Sequence, residues 1–193
     1  MKYIIAGTDR PDSNTLKVSK IIQGIYKELG EAVEIIDLKE LKQHLHDDIH
    51  YGKPSEALQP YINKVLGSDG LIVVCPEYNG SMPGILKYFI DHLKFPESFE
   101  YRPVCFVGLG AMFGALRPVE HLQGVFGYRN AFIFPERVFM MNVFKIINAE
   151  GQLTDELMKS LLVKQAKGFQ KFAEALKTYK LDANSFIEGK KST

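Results

Sequence analysis

The sequence predicts an α/β fold in which a parallel sheet lies between two layers of helices. Short apolar runs, rich in β-branched and aromatic side chains, alternate along the chain with amphipathic stretches of helical period. Such alternation is typical of βαβ units, whose crossovers make neighbouring strands parallel. The runs are nearly continuous in apolar residues, which indicates strands that are buried on both faces.

Each element follows from its local pattern. The apolar runs predict strands at residues 3–6, 33–38, 71–75, 104–107 and 131–134. Amphipathic patterns predict helices around residues 21–29, 58–66, 85–93, 117–126 and 154–178. Gly30 after the first helix and Thr154 before the last are typical stop and start signals.

Length and composition indicate one domain. The chain has 193 residues, of which 46% are hydrophobic, and this suits one core of ordinary size. We expect residues 1–185 to form a single domain and residues 186–193 to form a disordered tail. The 24 Lys and Arg residues nearly balance the 23 Asp and Glu residues, for a net charge of +1. This balance argues against a nucleic-acid or membrane-surface partner.

We expect neither an export signal nor a membrane-spanning segment. The apolar run at the N-terminus is very short, and no stretch approaches the ~18 apolar residues of a spanning helix. We therefore expect a soluble, cytoplasmic protein. Cys75 and Cys105 both lie inside apolar strand runs, so we expect two buried thiols and no disulfide.

Right-handed crossovers bring the loops after the first, third and fourth strands to one edge of the sheet. The first loop, GTDRPDSNT at residues 7–15, places hydroxyl and amide side chains and Arg10 at the start of a helix. Free N–H groups and the helix dipole favour a phosphate at such a place. The alternative is that Asp12, Ser13 or Asn14 only caps the helix. The loop matches neither GxxxxGK[ST] nor GxGxxG, the standard nucleotide signatures.

The loop after the third strand lies within LIVVCPEYNGSMPGILKYFIDHL, residues 71–93. Its Asn-Gly pair usually indicates a hairpin, but the apolar residues that follow have helical and not alternating spacing. We therefore expect a strand-to-helix loop in which Tyr78 and several backbone donors accept a planar heterocycle. The fourth-strand loop, GLGAMFGA, spaces Gly108, Gly110 and Gly114 as GxGxxxG. Such glycines allow either close approach of a flat ligand or a simple tight turn.

The three loops together resemble the NADPH-dependent FMN reductase family, a flavodoxin-like group that includes chromate, quinone and azo-dye reductases. The family pattern of GSxRxxSxT/N, PEYNxSxPxxLKxxxD and a Gly-rich SxGxxGG loop is GTDRPDSNT, PEYNGSMPGILKYFID and GLGAMFGALR here, within roughly residues 1–135. The middle motif matches throughout. Thr8 replaces the usual Ser, and Leu109 and Ala111 replace the usual Ser and Gly. The resemblance implies a flavodoxin-like three-layer sandwich with strand order 2-1-3-4-5 and the ligand at its switch point.

By this resemblance the ligand is FMN, and each loop supplies one group of contacts. The residues implied for the FMN phosphate are Thr8, Arg10, Ser13, Asn14 and Thr15. The residues implied for the ribityl chain and ring are Pro76, Glu77, Tyr78, Asn79 and Gly80, and those of the wall beside the ring are Gly108, Gly110 and Ala111. No catalytic side chain is expected, because the flavin carries the chemistry.

The implied activity is that of an NAD(P)H-dependent oxidoreductase. A hydride passes from NADPH or NADH to bound FMN, and the electrons then pass by a ping-pong mechanism to a quinone, azo compound, metal oxyanion or free flavin. The resemblance also implies a homodimer or homotetramer, with the helix after PEYN at the interface. Two alternatives stay open. One is an electron-carrier flavodoxin, against which the net charge of +1 argues, and the other is a flavin-free regulatory or scaffold protein.

Two further segments have unusual composition. HLHDDIH, residues 44–50, brings three His and two Asp residues together within a polar insertion. Because it has no Cys and no fixed helical His pair, we favour a solvated loop beside the flavin over a metal site. FIFPERVFMMNVF, residues 132–144, is more apolar than one strand needs. It either completes the core or forms a subunit interface, and we favour the interface.

Overall fold

The structure, a computed structural model, describes residues 1–45 and 55–191. Its centre is a parallel sheet. The main strands are β1 (Lys2–Ala6), β2 (Val33–Asp37), β3 (Gly70–Pro76), β4 (Pro103–Leu109) and β5 (Phe132–Ile133). Their order is β2-β1-β3-β4-β5, and every pairing is parallel. The predicted α/β class and strand order are confirmed.

Helices cover both faces of the sheet. The longer ones are α1 (Asn14–Glu28), α3 (Gln59–Leu66), α4 (Gly84–Asp91), α5 (Leu116–Gly127), α7 (Glu156–Thr178) and α8 (Ala183–Lys191), and the shorter ones are α2 (Leu38–Leu41) and α6 (Val143–Ile146). Successive strand residues point to opposite faces. Ile4 packs with the α1 and α7 side chains, whereas Ile5 packs with those of α3, α4 and α5.

The predicted fifth strand is interrupted. β5 ends at Ile133, and the chain pairs with β4 again only at β6 (Val138–Met140), beyond Pro135. Proline has no N–H group for the ladder, so it breaks regular pairing. The buried amide of Gln165 on α7 bridges the interruption, because its Nε2 donates to the carbonyl oxygens of Phe106 at 3.0 Å and Glu136 at 2.8 Å.

The tail predicted to be disordered from residue 186 is helical up to Lys191. The Asp182 carboxylate accepts a hydrogen bond from the Ser185 hydroxyl at 2.6 Å, at the start of α8. Phe186 stacks on Tyr101, with ring centroids 4.2 Å apart. The polar composition of the tail conceals this aromatic anchor, which attaches the helix to the rest of the fold.

The two cysteines lie on opposite faces of the sheet. Cys75 packs with the α3, α4 and α5 side and Cys105 with the α1 and α7 side, and both thiols are buried and unpaired. Burial raises the pKa of both thiols above the usual range. The expectation of two core thiols is confirmed. Within the described ranges, no helix has the length and apolarity that crossing a bilayer requires.

Candidate functional site

Backbone hydrogen bonds tie the ends of β1, β3 and β4 together at the carboxyl edge of the sheet. The N–H group of Gly7 donates to the Val74 carbonyl at 2.9 Å, and that of Glu77 donates to the Leu109 carbonyl at 3.3 Å. Gly7 also allows close contact, since a β-carbon there would lie 2.8 Å from the Val74 oxygen. The three predicted loops therefore meet at one place, where open α/β sheets bind ligands.

The first loop ends in a well-formed helix cap. Ser13 precedes α1, and its Oγ accepts a hydrogen bond from the Leu16 N–H at 3.1 Å. Ser13 therefore caps α1, and its hydroxyl hydrogen can still be donated to an anion. Within residues 1–45 and 55–191, the N–H groups of Asn14 and Thr15 have no hydrogen-bond acceptor, as is usual in the first turn of a helix.

The side chains of the first loop differ in exposure. Thr8 and Thr15 are buried, Asn14 is half-buried, and Arg10 is exposed. The Arg10 guanidinium makes no hydrogen bond or ion pair within the described part of the chain. Arg10 and the first-turn N–H groups are therefore available to an anion.

A hydrogen bond that sequence reasoning missed joins the first loop to the PEYN loop. The Tyr78 hydroxyl lies 2.8 Å from Thr8 Oγ1, which also accepts the Arg10 N–H at 3.3 Å. The sequence assigned Thr8 to the phosphate and Tyr78 to the ring. In the structure these two side chains bind each other and fix the distance between the two loops.

The PEYN loop contains a hairpin turn after all. The N–H of Tyr78 donates to the Ser81 carbonyl at 2.9 Å, and the N–H of Ser81 donates back to the Tyr78 carbonyl at 3.2 Å. Asn79 and Gly80 have φ values of 51° and 81°, and two positive values are typical of the type I′ turns that join hairpin strands. The hairpin interpretation is thus correct for the tip, although no strand returns, because α4 begins at Gly84.

The glycine-rich loop after β4 packs largely against itself. A β-carbon at Gly108 would lie 2.5 Å from the carbonyl oxygen of Gly114. The buried Gly108 is therefore needed for the close packing of the loop on itself and not for contact with a ligand. The carbonyl of Gly110 accepts the Val143 N–H at 3.1 Å, and that of Ala111 accepts the Asn142 N–H at 2.6 Å. Gly110 is half-buried and Ala111 is exposed, so these two can form a wall for a ligand.

A cavity of about 540 Å³ opens between the first loop and the PEYN loop. It is lined by Asp9, Arg10, Pro11, Lys42, Glu77, Tyr78 and Asn79. Lys42 pairs with Asp9 at 2.8 Å, and Arg117 pairs with Glu77 at 3.1 Å. These pairs leave Arg10 as a cation that can bind a ligand anion. The volume lies within the range of small-molecule sites, which is about 300–1,000 Å³.

Residues 3–145 match the family model described as NADPH-dependent FMN reductase. The chain belongs to this family. The match includes all three loops of the site and confirms the resemblance. The description of this family names FMN and NADPH, which are the cofactor and the reductant that the sequence predicts.

Individual relatives are moderately similar to this chain. The chain is 32% identical over 124 residues to an FMN-dependent NADPH-azoreductase of Staphylococcus saprophyticus, a match that covers 62% of this chain and 65% of that enzyme. It is 26% identical over 147 residues to an NADPH:quinone oxidoreductase of Arabidopsis thaliana, covering 74% and 75%. FerB, a flavoenzyme NAD(P)H:(acceptor) oxidoreductase from Paracoccus denitrificans, has the same fold with a TM-score of 0.71, 23% identity and coverage of 90% and 97%.

The chemistry of the site fits FMN. Arg10 and the open N–H groups of α1 provide donors for a phosphate. Tyr78 provides an aromatic side chain, and a β-carbon at Gly80 would meet no atom within 4 Å, so the turn leaves space around it. Pro76 is buried at the end of β3 and positions the loop.

Lys42 and Arg117 are site residues that sequence reasoning missed. Lys42 lies in the polar insertion, and no motif distinguishes it; Arg117 follows the glycine-rich loop at the start of α5. Within the described residues, no group of three or more His, Cys, Asp or Glu side chains can hold a metal ion. Residues 46–50 of the His-rich segment, for which a solvated loop was favoured over a metal site, lie outside the described residues.

Proposed function

We propose that this chain forms a single FMN-binding domain and that the holoprotein oxidises NADPH or NADH to reduce a small-molecule acceptor. One observation carries the proposal. The segment that matches the FMN reductase family includes three loops, and backbone hydrogen bonds hold these loops together at the carboxyl edge of the sheet. We propose the cytoplasm as its location.

In this proposal the first loop holds the FMN phosphate. The Arg10 guanidinium and the N–H groups of Asn14 and Thr15 donate to it, and Ser13 caps α1 so that those N–H groups stay oriented. Thr8 contributes through Tyr78, whose hydroxyl it binds. The dipole of α1 adds to the attraction for the dianion.

The other two loops enclose the ribityl chain and the ring. The Asn79–Gly80 turn and the Glu77–Arg117 ion pair fix the PEYN loop on one side. Gly110 and Ala111 form the opposite wall, whereas Gly108 supports it from within. Bound FMN would supply the hydride-transfer chemistry that links the nicotinamide to the acceptor. The protein binds and orients the reactants and supplies no nucleophile.

The nature of the acceptor is a proposal that rests on relatives. One relative is named for azo compounds and another for quinones, so we propose aromatic acceptors of these classes, with metal oxyanions and free flavin as further candidates. The small side chains of the Gly110–Ala111 wall leave room for one flat ring at a time. Nicotinamide and acceptor would then bind in turn, which is a ping-pong mechanism.

We also propose a homodimer or homotetramer in which the α4 and α5 side takes part. Tyr88 on α4 and Phe95 after it are about half exposed, and Tyr128 after α5 is 78% exposed. Phe95 and Tyr128 stack with ring centroids 6.4 Å apart, beside a cavity of about 310 Å³. Exposed aromatic clusters of this kind usually mark protein contacts.

The function is tested by supplying FMN to the purified protein and following NADPH and NADH oxidation with a panel of quinones, azo compounds, oxyanions and free flavin. We expect the protein to take up FMN and to show acceptor-dependent oxidation of at least one nicotinamide. Protein that takes up no FMN would exclude the proposed function. Protein that takes up FMN but oxidises neither nicotinamide would instead be an electron carrier.

A further inference from the structure

Large apolar side chains are exposed beside the flavin site on two neighbouring segments. Met112 and Phe113 belong to the glycine-rich loop, and Met141 and Phe144 belong to the segment that includes α6; all four are more than half exposed. We call these four residues the aromatic rim. The two segments are adjacent, because the Asn142 N–H donates to the Ala111 carbonyl at 2.6 Å.

Cations lie over the aromatic rings of this surface. The Arg117 guanidinium is 4.8 Å from the centroid of Phe113, and Lys145 Nζ is 6.0 Å from that of Phe144. In a third pair, Arg137 is 5.7 Å from the ring of Phe139 on β6. Phe139 borders the glycine-rich loop, because a β-carbon at Gly114 would lie 3.1 Å from its Cβ. Such cation–π pairs hold a positive charge at the ring face.

The positive charge of the three cations beside the aromatic rim is only partly neutralised. Arg117 pairs with Glu77 at 3.1 Å. Within the described residues Arg137 has no carboxylate partner, and its guanidinium donates a hydrogen bond to the amide oxygen of Gln123 at 3.4 Å. Lys145 has no carboxylate partner within residues 1–45 and 55–191. The whole chain has a net charge of only +1, so this excess is local.

We propose that the aromatic rim binds an aromatic electron acceptor that carries an anionic substituent such as a sulfonate or a carboxylate. The apolar side chains contact the flat ring, and Arg117, Arg137 and Lys145 bind the anion. The inference rests on the proposed function, for which it specifies the class of the second substrate.

The positive charge beside the aromatic rim favours an anionic ligand over a second copy of the chain as the group that binds there. In a two-fold symmetric interface the same patch faces itself, so the cations of one rim would face those of the other. An anionic ligand is complementary to the rim, whereas a second rim is not. The subunit contact expected for residues 132–144 is therefore better assigned to the α4 and α5 side.

The first experiment compares 1,4-naphthoquinone with 1,4-naphthoquinone-2-sulfonate as acceptors for the FMN-loaded protein. The measured quantity is kcat/KM for the sulfonated quinone divided by kcat/KM for the neutral quinone. We expect Arg137→Gln and Lys145→Gln each to lower this ratio by about three- to ten-fold, because each variant loses one charge-assisted contact with the sulfonate. Lys145→Glu should lower it further, and added salt should reduce the wild-type ratio. Lys177→Gln is the matched control, since Lys177 is exposed and pairs with Asp69 far from the rim.

The second experiment needs no electron transfer. Naphthalene-2-sulfonate, which is not an electron acceptor, is titrated into the protein and followed by its fluorescence, with 2-naphthol as the uncharged comparison. We expect the sulfonate to bind more tightly and to lose affinity in Arg137→Gln and Lys145→Gln but not in Lys177→Gln. This binding is measured with and without FMN, so it tests the rim even if NAD(P)H oxidation fails.

Three outcomes would overturn the inference. In the first, both quinones lose kcat/KM by the same factor. In the second, the KM for NADPH rises as much as that for the sulfonated quinone, which would assign the cations to the dinucleotide. In the third, the variants change the mass of the protein in solution and leave the quinone ratio unchanged, which would make the rim a subunit contact.

Discussion

Arg10 differs from its neighbours in the first loop because its charged group is not committed to another side chain. Thr8 binds Tyr78, Ser13 caps α1, and Asp9 pairs with Lys42. The Arg10 guanidinium has no such partner in the described part of the chain. It can therefore bind an anion without losing an existing contact.

We expect Arg10→Ala to weaken FMN binding about ten-fold or more, because a hydrogen bond between charged groups contributes about 1.5–3 kcal/mol. Riboflavin lacks the phosphate, so its affinity should change little. Quenching of flavin fluorescence on binding measures both affinities. Lys42→Ala is the comparison variant and should weaken FMN less, since Lys42 is already paired with Asp9. Equal losses for FMN and riboflavin would show that Arg10 has a structural role.

Residue types predicted the donors of the first loop but not their directions. Ser, Thr and Asn can cap a helix or bind a phosphate, and the choice depends on the turn that positions them. The structure uses Ser13 as the cap and buries Thr8 against Tyr78, a contact between residues far apart in sequence. Sequence patterns cannot predict such a pair, because the local sequence around either residue does not depend on the identity of the other.

At the scale of elements, long periodic segments were predicted well and short ones poorly. Every predicted strand and helix has a counterpart, because continuous apolar runs and helical stripes report burial directly. The interruption at Pro135 was not predicted, and neither was β6, which has only three residues. The amide of Gln165, from a distant helix, satisfies the carbonyl groups at that interruption. A short strand supported by tertiary contacts leaves little pattern of its own.

The turn at Asn79 and Gly80 gives an element-scale prediction with an internal control. Gly80 has φ 81°, where a side chain is strained, whereas Gly84 lies at the start of α4 with open space around it and no positive φ. Gly80→Ala should cost roughly 1–2 kcal/mol of stability and weaken FMN binding. Gly84→Ala should be neutral or stabilise the protein by up to about 1 kcal/mol. Urea unfolding measures both, and equal effects would contradict the assigned turn.

At the scale of the whole molecule, the two edges of the sheet have different roles. At the amino edge the buried Arg102 donates to the carbonyl oxygens of Ser98 at 3.0 Å and of Leu66 and Glu97 at 2.9 Å. Burial lowers the pKa of Arg102 to about 10, so it stays charged at neutral pH. The carboxyl edge instead carries exposed cations, open N–H groups and glycine turns. One edge is closed by internal bonds, and the other is available to ligands.

The proposed subunit contact predicts a change of mass in solution. Tyr128→Lys places a charge among the exposed aromatic side chains of the α4 and α5 side, and burying an unpaired charge is costly. We expect it to lower the oligomer mass measured by light scattering. Tyr179→Lys is the control, because Tyr179 is 75% exposed, against 78% for Tyr128, and follows α7 on the other face of the sheet. A mass that neither variant changes would place the contact elsewhere or show that the protein is a monomer.

The order of substrate binding separates an enzyme from an electron carrier. If Gly110 and Ala111 leave space for one flat ring, the nicotinamide must leave before the acceptor binds. Initial rates should then give parallel double-reciprocal lines when both substrates are varied. Without an acceptor, each FMN-loaded molecule should oxidise one nicotinamide, because the hydride carries two electrons at once. Intersecting lines would show that both substrates bind together and contradict the ping-pong mechanism. Bound flavin that neither NADPH nor NADH reduces would make the protein a carrier that depends on a separate reductase.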